Sequence, residues 1–264
     1  MKFRAISLVV LATAFTPLTA QEAEEGLQDL PKWKQEFLNL DESSRTKFDE
    51  HLKKAQELFG EERIFEAVDE LREAKSIFDM SPDVDTLLGA CQVEFRAFDQ
   101  AMEHFRDAND SSPNTPNVIF NMGEVYFVTD RWEQAAAQFD RVIELINEMP
   151  APKNAIEAAA PKQLDRLSNF KLLICHLKME KMEEAKKLAA RYDENDDSPY
   201  HYYAAAVMAL HEDDQLLATQ EMARATRIFQ DPRILSPFKD SLMESGYLEG
   251  PTGHEIFNYD EDSE

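Results

Sequence analysis

The sequence predicts an all-α fold in which about five helix-turn-helix repeats stack as a solenoid, closed by a C-terminal capping helix. The first observation is a fixed period, because aligning Ser81-Pro82 with Thr115-Pro116 places equivalent residues 34 positions apart. The second is that each period contains two segments whose apolar residues recur at helical spacing. The third is that the aligned residues are small or aromatic, as helix crossings require: Gly89 with Gly123, Phe98 with Trp132, Ala101 with Ala135 and Phe105 with Phe139.

Residues 1–20 have the pattern of a cleaved signal peptide. Lys2 and Arg4 precede an apolar run over residues 5–15, and Ala20 ends a cleavage-site pattern before an acidic segment. The alternative is a membrane anchor, which needs roughly 18 or more consecutive apolar residues, and this run is shorter. We therefore predict an exported chain that is soluble, periplasmic or extracellular, after cleavage.

The charge balance narrows the class of partner. The chain has 28 Lys and Arg against 52 Asp and Glu, a formal net charge of −24, which repels nucleic acid and anionic lipid headgroups. It is 43% hydrophobic with 17 Phe, too apolar for an acidic disordered chain, so it should bury a core. We expect a protein or peptide partner, no nucleic acid, and no membrane span in the mature chain.

Residues 21–41 are predicted to form a lead-in and a short helix, with Trp33, Phe37 and Leu40 on one face. Asp41 can cap the next helix. The first repeat then covers 42–81, with Gly60 ending the first of its two helices.

The second repeat, 82–115, and the third, 116–149, each begin with Ser-Pro or Thr-Pro. The hydroxyl accepts a hydrogen bond from an N–H of the first helical turn, and Pro at the first helical position loses nothing by lacking its own. Gly89 and Gly123 lie inside predicted helices, where Gly costs about 1 kcal/mol relative to Ala. Their presence therefore predicts close approach of a neighbouring helix.

The fourth repeat, 150–198, contains an insertion of about 16 residues, because Ala185 falls 50 positions after Ala135. Pro161 is interpreted as opening its first helix. The fifth repeat covers 199–230. Residues 231–248 are predicted capping helices, with a helix starting at Ser236-Pro237 and ended by Gly246, and the acidic tail is 249–264. The capping segment places Phe238, Leu242 and Tyr247 on one face.

Over residues 42–230 this pattern resembles the tetratricopeptide repeat. The resemblance implies a right-handed superhelix whose first helices line a concave groove that binds extended or helical segments of other proteins. It does not imply enzymatic activity. The Lys, Asn and Arg with which chaperone-binding members grip a carboxylate have no counterpart here, which puts that ligand class in doubt.

Residues on the first helices that are not used for packing between repeats should line this groove, and from the third repeat onward they are mostly large and apolar. Two interpretations stay open: neighbouring first helices bury this surface, or it is an apolar binding groove. For the second, the predicted partner contacts are Phe120, Glu124, Phe127, Phe170, Ile174, Tyr203 and Val207.

The resulting functional prediction is a non-catalytic, exported scaffold for protein–protein interaction. The alternative is a carrier that holds a small apolar or lipid-like ligand in the same groove.

We predict no catalytic residue, cofactor or metal. His211-Glu212 and His254-Glu255 lack the second His of a zinc-protease helix. The acidic run 193–197 lacks the Gly and distal Glu of a calcium loop and is interpreted as a solvated turn before Ser198.

Cys91 and Cys175 occupy one alignment column two repeats apart. With helix layers about 8–10 Å apart, they exceed the roughly 7 Å Cα limit for a disulfide, so we predict two buried thiols.

The tail contains Ile256, Phe257 and Tyr259 beyond a Gly/Pro-rich segment. These residues could dock on the groove of the same chain or of a neighbouring copy, a possible route to self-association. The alternative is a disordered end without this role.

Overall fold

A computed structural model describes residues 30–249. The predicted signal peptide and the apolar residues of the acidic tail lie outside the described residues. Within 30–249 the chain forms twelve α-helices and no strand. Their bounds are α1 Lys32–Leu38, α2 Glu42–Gly60, α3 Ile64–Ile77, α4 Pro82–Glu94, α5 Phe98–Ser111, α6 Pro116–Phe127, α7 Trp132–Glu148, α8 Ala155–Lys178, α9 Met182–Ala189, α10 Tyr200–His211, α11 Gln215–Ile228 and α12 Pro232–Glu244.

Helices α2 to α11 form five consecutive helix-turn-helix pairs, and α12 follows the last pair. The fold is therefore all-α and resembles the tetratricopeptide repeat, as the period predicts. None of the helices between residues 30 and 249 combines the length and apolarity needed to cross a membrane.

The turn inside each pair has the same backbone geometry. One residue with positive φ, near 60°, follows the first helix, and the intervals between these residues are 34, 34, 50 and 33 positions: Glu62, Arg96, Asp130, Glu180 and Asp213. The next residue donates its N–H to the carbonyl five positions back, as Ala97 does to Gln92 and Lys181 does to His176, both at 2.9 Å. This is the Schellman helix ending, and it repeats the predicted register, including the insertion in the fourth repeat.

The described residues divide into two compact units. The N-terminal unit comprises 30–125 and 137–164, and the C-terminal unit comprises 126–136 and 165–249. In the N-terminal unit, Phe37 of α1 packs edge-to-face against Phe48 and Phe78, with ring centroids 5.0 and 5.3 Å away. Trp33 and Leu40 pack on the same core, so the predicted apolar face of the first short helix is confirmed.

Two helix-interior glycines allow close approach of a Phe ring within a repeat. A Cβ added to Gly89 would lie 2.5 Å from Cε1 of Phe105, and one added to Gly123 would lie 2.8 Å from Cε1 of Phe139. Such distances are well inside van der Waals contact, so a side chain at either position must displace the ring. The packing reason predicted for these glycines is confirmed.

Two predicted helix starts are wrong. Pro161 lies inside α8 and Pro237 lies inside α12. Helix α8 begins earlier because the Asn154 side chain accepts hydrogen bonds from the N–H groups of Ile156 and Glu157, each at 3.0 Å. Helix α12 begins earlier because Asp231 caps it in the same way. In each case a capping side chain upstream starts the helix, and the proline removes one hydrogen bond from it without ending it.

Cys91 and Cys175 are both buried and neither forms a disulfide, as predicted. Burial, with a contribution from the charge of Glu94, raises the pKa of the Cys91 thiol to about 12. This side chain therefore acts as a small apolar group.

Candidate functional site

The predicted partner contacts of the C-terminal unit lie on the first helices α6, α8 and α10. We call these residues together the first-helix face, and they are Phe127, Phe170, Ile174, Tyr203 and Val207. None of these side chains is more than 3% exposed. The residues that sequence reasoning places in an open groove are therefore covered by other parts of the chain.

The other two predicted contacts, Phe120 and Glu124, belong to the N-terminal unit, where both are fully buried. The Phe120 ring lies 5.5 Å from that of Phe139, the ring that approaches Gly123. Phe120 thus contributes to the core of the third repeat.

Helix α12 packs against two aromatic residues of the first-helix face. Its Phe238 ring lies 5.2 Å from the ring of Phe170 on α8 and 5.5 Å from that of Tyr203 on α10. Phe238 is itself buried, as is Leu242 one turn further on. Burial, assisted by the charge of Asp240 on α12, raises the pKa of Tyr203 to about 12. Two of the three aromatic residues of the face, Phe170 and Tyr203, thus share one aromatic side chain of α12.

An ion pair joins the C-terminal end of α12 to α8. The ammonium of Lys171 lies 2.9 Å from Oε2 of Glu244, and the Lys171 side chain has no exposed surface. The same ammonium lies 4.2 Å from the centre of the Phe127 ring. A buried cation thus contacts both a residue of the first-helix face and a carboxylate of α12.

Tyr247, just beyond α12, contacts α8 and α10, the first helices of the fourth and fifth repeats. Its hydroxyl lies 2.9 Å from Nδ1 of His211 on α10, and the ammonium of Lys178 on α8 lies 4.2 Å from the centre of its ring. Burial raises the pKa of Tyr247 to about 12 and lowers that of Lys178. Gly246, with φ of 73°, ends α12 so that the chain turns to bring Tyr247 to this position, and its predicted role as a helix end is confirmed.

The C-terminal segment contacts equivalent positions of two first helices. Phe238 on α12 meets Phe170 and Tyr203, and Tyr247, beyond the turn at Gly246, meets Lys178 and His211. Phe170 and Tyr203 are equivalent positions 33 residues apart, and so are Lys178 and His211. Helix α12 therefore contacts matching positions of two successive repeats.

A helix that only continued the stack would cover the last repeat alone. The sequence correctly groups Phe238, Leu242 and Tyr247 on one face, but the contacts with α8 were not predicted. Lys171 and Glu244 were also missed. A signal for Lys171 exists, because it aligns with Leu87 and Asn121, and a position that is apolar or uncharged in other repeats indicates burial.

A polar network holds α8 against the loop after α9. The Tyr192 hydroxyl donates to Oδ2 of Asp165 at 2.5 Å, and Arg166 forms ion pairs with Asp165 at 2.8 Å and Asp196 at 2.7 Å. The Arg166 guanidinium also stacks 4.1 Å from the centre of the Tyr192 ring. Burial raises the pKa of Asp196, but hydrogen bonds from Arg166 and Ser198 outweigh it, so the pKa is lowered. This network positions the segment of α8 that carries Phe170 and Lys171.

The acidic run 193–197 is a turn stabilised by its own side chains. Asp193 accepts a hydrogen bond from the N–H of Asn195, and Asp196 accepts from the N–H of Ser198. One group with metal-ligand spacing occurs within 30–249, formed by Asp85, His104 and Asp107. The ammonium of Lys75 lies 2.5 Å from Asp85, so this group is better explained as an ion-pair cluster linking α3, α4 and α5.

The fold and the site define an all-helical repeat protein with a C-terminal helix packed across two of its repeats. No model of a known protein family matches the chain, and no curated protein sequence is similar to it. A chain from a solved structure described as the functional characterization of Pseudomonas aeruginosa pilF is similar at 15% identity, covering 75% of this chain and 99% of that one, with a TM-score of 0.40. A superposition this loose carries no argument about the present chain.

Proposed function

We propose that the mature chain is a non-catalytic, exported scaffold that binds a helical segment of another protein on the first-helix face. The observation that carries this proposal is the position of α12, whose Phe238 contacts the equivalent residues Phe170 of α8 and Tyr203 of α10. A surface that already holds one helix in this way has the shape and chemistry to hold another.

The proposed contacts in the C-terminal unit are Phe127, Phe170, Ile174, Tyr203 and Val207. Phe120 and Glu124 of the N-terminal unit continue the alignment columns of Phe170 with Tyr203 and of Ile174 with Val207, and they are proposed from that alignment alone. Because all seven are buried, each becomes available only when the segment that covers it moves. Aromatic anchors in such positions are typical of the residues that dominate binding energy.

Export is proposed from residues 1–20 and from the acidic composition. Fractionation of the native cell, followed by N-terminal sequencing of the mature product, tests it: we expect a chain beginning at Gln21 outside the cytoplasm. A cytoplasmic protein retaining Met1 would contradict it.

The carrier alternative needs open space on the same face for a small apolar molecule. Phe238 fills the space between Phe170 and Tyr203, so no observation favours a carrier over a scaffold. Native mass spectrometry of the protein purified from its own cells separates the two, since a carrier would retain a small molecule.

Site-specific photo-crosslinking tests the scaffold directly. A photoreactive amino acid replaces Lys178, which lies at the edge of the first-helix face, and a matched variant carries it at the exposed Lys53 of α2. We expect position 178, and not position 53, to form a discrete adduct in whole cells that maps to a helical segment of a second protein. If position 178 crosslinks only to α12 of its own chain, the proposal is wrong.

A further inference from the structure

We propose that α12 is an intramolecular ligand that covers the first-helix face until a partner helix replaces it. This inference rests on the proposed function and adds to it the regulation of the site and the chemistry of its partner. The partner presents a helix with an aromatic anchor and a carboxylate about six residues later, followed by a second aromatic side chain just beyond the end of the helix, as Phe238, Glu244 and Tyr247 do here.

The aromatic pattern follows from what α12 contacts. Phe238 meets the pair Phe170 and Tyr203, while Tyr247, nine residues later, meets the pair Lys178 and His211. Phe238 and Tyr247 thus each contact two equivalent positions on successive repeats. A ligand with one aromatic side chain on its helix and a second just after the helix ends satisfies both pairs without any change in the repeats.

The carboxylate and the direction follow from charge. The chain carries a net charge of −24, yet the ammonium groups of Lys171 and Lys178 lie beside Glu244 and Tyr247, respectively. The C-terminal end of a helix carries partial negative charge, which cations stabilise. A ligand helix that ends here and carries a carboxylate in its last turns is therefore favoured over one that runs in the opposite direction.

Helix α12 has the features of a segment that can detach. Phe229 and Asp231, which precede it, are both in extended conformation and form a short connection to α11. Pro237 removes one hydrogen bond from the interior of α12, and a helix of 13 residues is marginal in water without tertiary contacts. Once released, α12 should lose helicity, and that loss would assist a competing ligand.

Two polar side chains of α12 also favour detachment, because their hydrogen bonds stay within the helix. The buried hydroxyls of Ser241 and Ser245 donate to carbonyls of α12 itself, at Pro237 and Ser241, both at 2.7 Å. They do not depend on the first-helix face for a partner. Docking of α12 therefore depends on a small set of side chains: Phe238, Leu242, Glu244 and Tyr247.

The test uses the full mature chain and a fluorescent synthetic peptide with the sequence of residues 232–249. Peptide binding is measured for the wild-type chain, for Phe238→Ala, and for Lys239→Ala, which changes an exposed neighbour on the same helix. Because the apparent Kd rises as the competent fraction falls, we expect Phe238→Ala to bind the peptide about tenfold tighter than wild type or more. Lys239→Ala should match wild type, and a peptide carrying Phe238→Ala should not bind.

Tyr247→Ala provides a second variant in case Phe238→Ala fails to fold, since Tyr247 lies beyond α12 and is only half-buried. Hydrogen exchange adds an independent measurement: amides of 232–244 should exchange faster than those of α10, and faster still in either variant. Equal peptide affinity for all chains, or no saturable binding to either weakened chain, would show that α12 is a fixed cap. If α12 is a fixed cap and position 178 still forms a discrete adduct with a second protein, the partner binds beside α12 and does not replace it; if position 178 forms no such adduct either, both proposals are wrong.

Discussion

Replacing Gly89 with Ala should destabilise the protein although Ala is the better helix former. An added Cβ would lie 2.5 Å from Cε1 and 2.7 Å from Cδ1 of Phe105, whose side chain is fully buried and must move. Overpacking of this kind typically costs about 1–3 kcal/mol, and the helix propensity of Ala returns about 1 kcal/mol. At so short a distance we expect the upper part of that range, a net loss of about 2 kcal/mol.

Two other glycines provide the comparison. Gly123→Ala meets Phe139 at 2.8 Å and should cost less than Gly89→Ala, while Gly60→Ala, with no atom within 4 Å at the end of α2, should be neutral or stabilising by up to about 1 kcal/mol. A double variant, Gly89→Ala with Phe105→Leu, should show favourable coupling relative to the sum of its single variants, because the smaller side chain makes room for the Cβ.

Urea unfolding followed by far-UV circular dichroism measures all five variants, including the single variant Phe105→Leu. The slope of free energy against urea must be compared as well as the midpoint, because a repeat protein can unfold in parts. If Gly89→Ala is as stable as wild type, the close approach of Phe105 is not a constraint, and the explanation of the equal spacing between Gly and Phe in the second and third repeats fails.

Three further changes test local features. Ser81→Ala removes the side chain that accepts from the N–H of Val84 and should cost about 1 kcal/mol in urea unfolding, whereas Ala at the exposed Ser76 should change little. Glu180→Gly places glycine where φ is 60° and should stabilise the fold by up to about 1 kcal/mol, because glycine adopts positive φ without steric cost. Glu180→Ala keeps a Cβ and should not stabilise it. Equal stability of the two variants would show that the Cβ is not strained at this position. Tyr203 has its pKa raised to about 12 in the folded chain, against about 10 when unfolded, so its contribution to stability is complete below pH 10 and is lost as pH rises through 12. Tyr203→Phe should therefore lose less stability than wild type between pH 10 and pH 12, and parallel curves would refute this.

The repeat register could be predicted because its determinants lie close in sequence. Gly89 and Phe105 belong to one helix pair, as do Gly123 and Phe139, so each packing rule is visible within 34 residues. The starts of α8 and α12 were mispredicted for a local reason. Proline is a conspicuous start signal, but Asn154 and Asp231 cap earlier turns, and each helix tolerates the one hydrogen bond that its proline removes.

The candidate site was predictable only in part. Periodicity identifies Phe170 and Tyr203 as large side chains on a first-helix face, and it groups Phe238 with Tyr247. It does not indicate that these two sets meet, because Phe238 lies 68 residues from Phe170 and no repeating signal connects them. The ion pair of Lys171 with Glu244 could not be predicted for the same reason. A buried charge is tolerated only beside a charged partner, and here that partner is distant in sequence.

The turns at Glu62, Arg96, Asp130, Glu180 and Asp213 have a consequence for protein engineering. Since each turn closes with the same backbone hydrogen bonds and no side chain is required for them, the stretch from one turn residue to the next is an exchangeable cassette. Cassettes 62–96 and 96–130 have equal length and matching ends, so one could be duplicated or deleted with both junctions intact. The longer interval before Glu180 indicates where this chain already accommodates extra length: in the helices and the connection between repeats, and not in the turns.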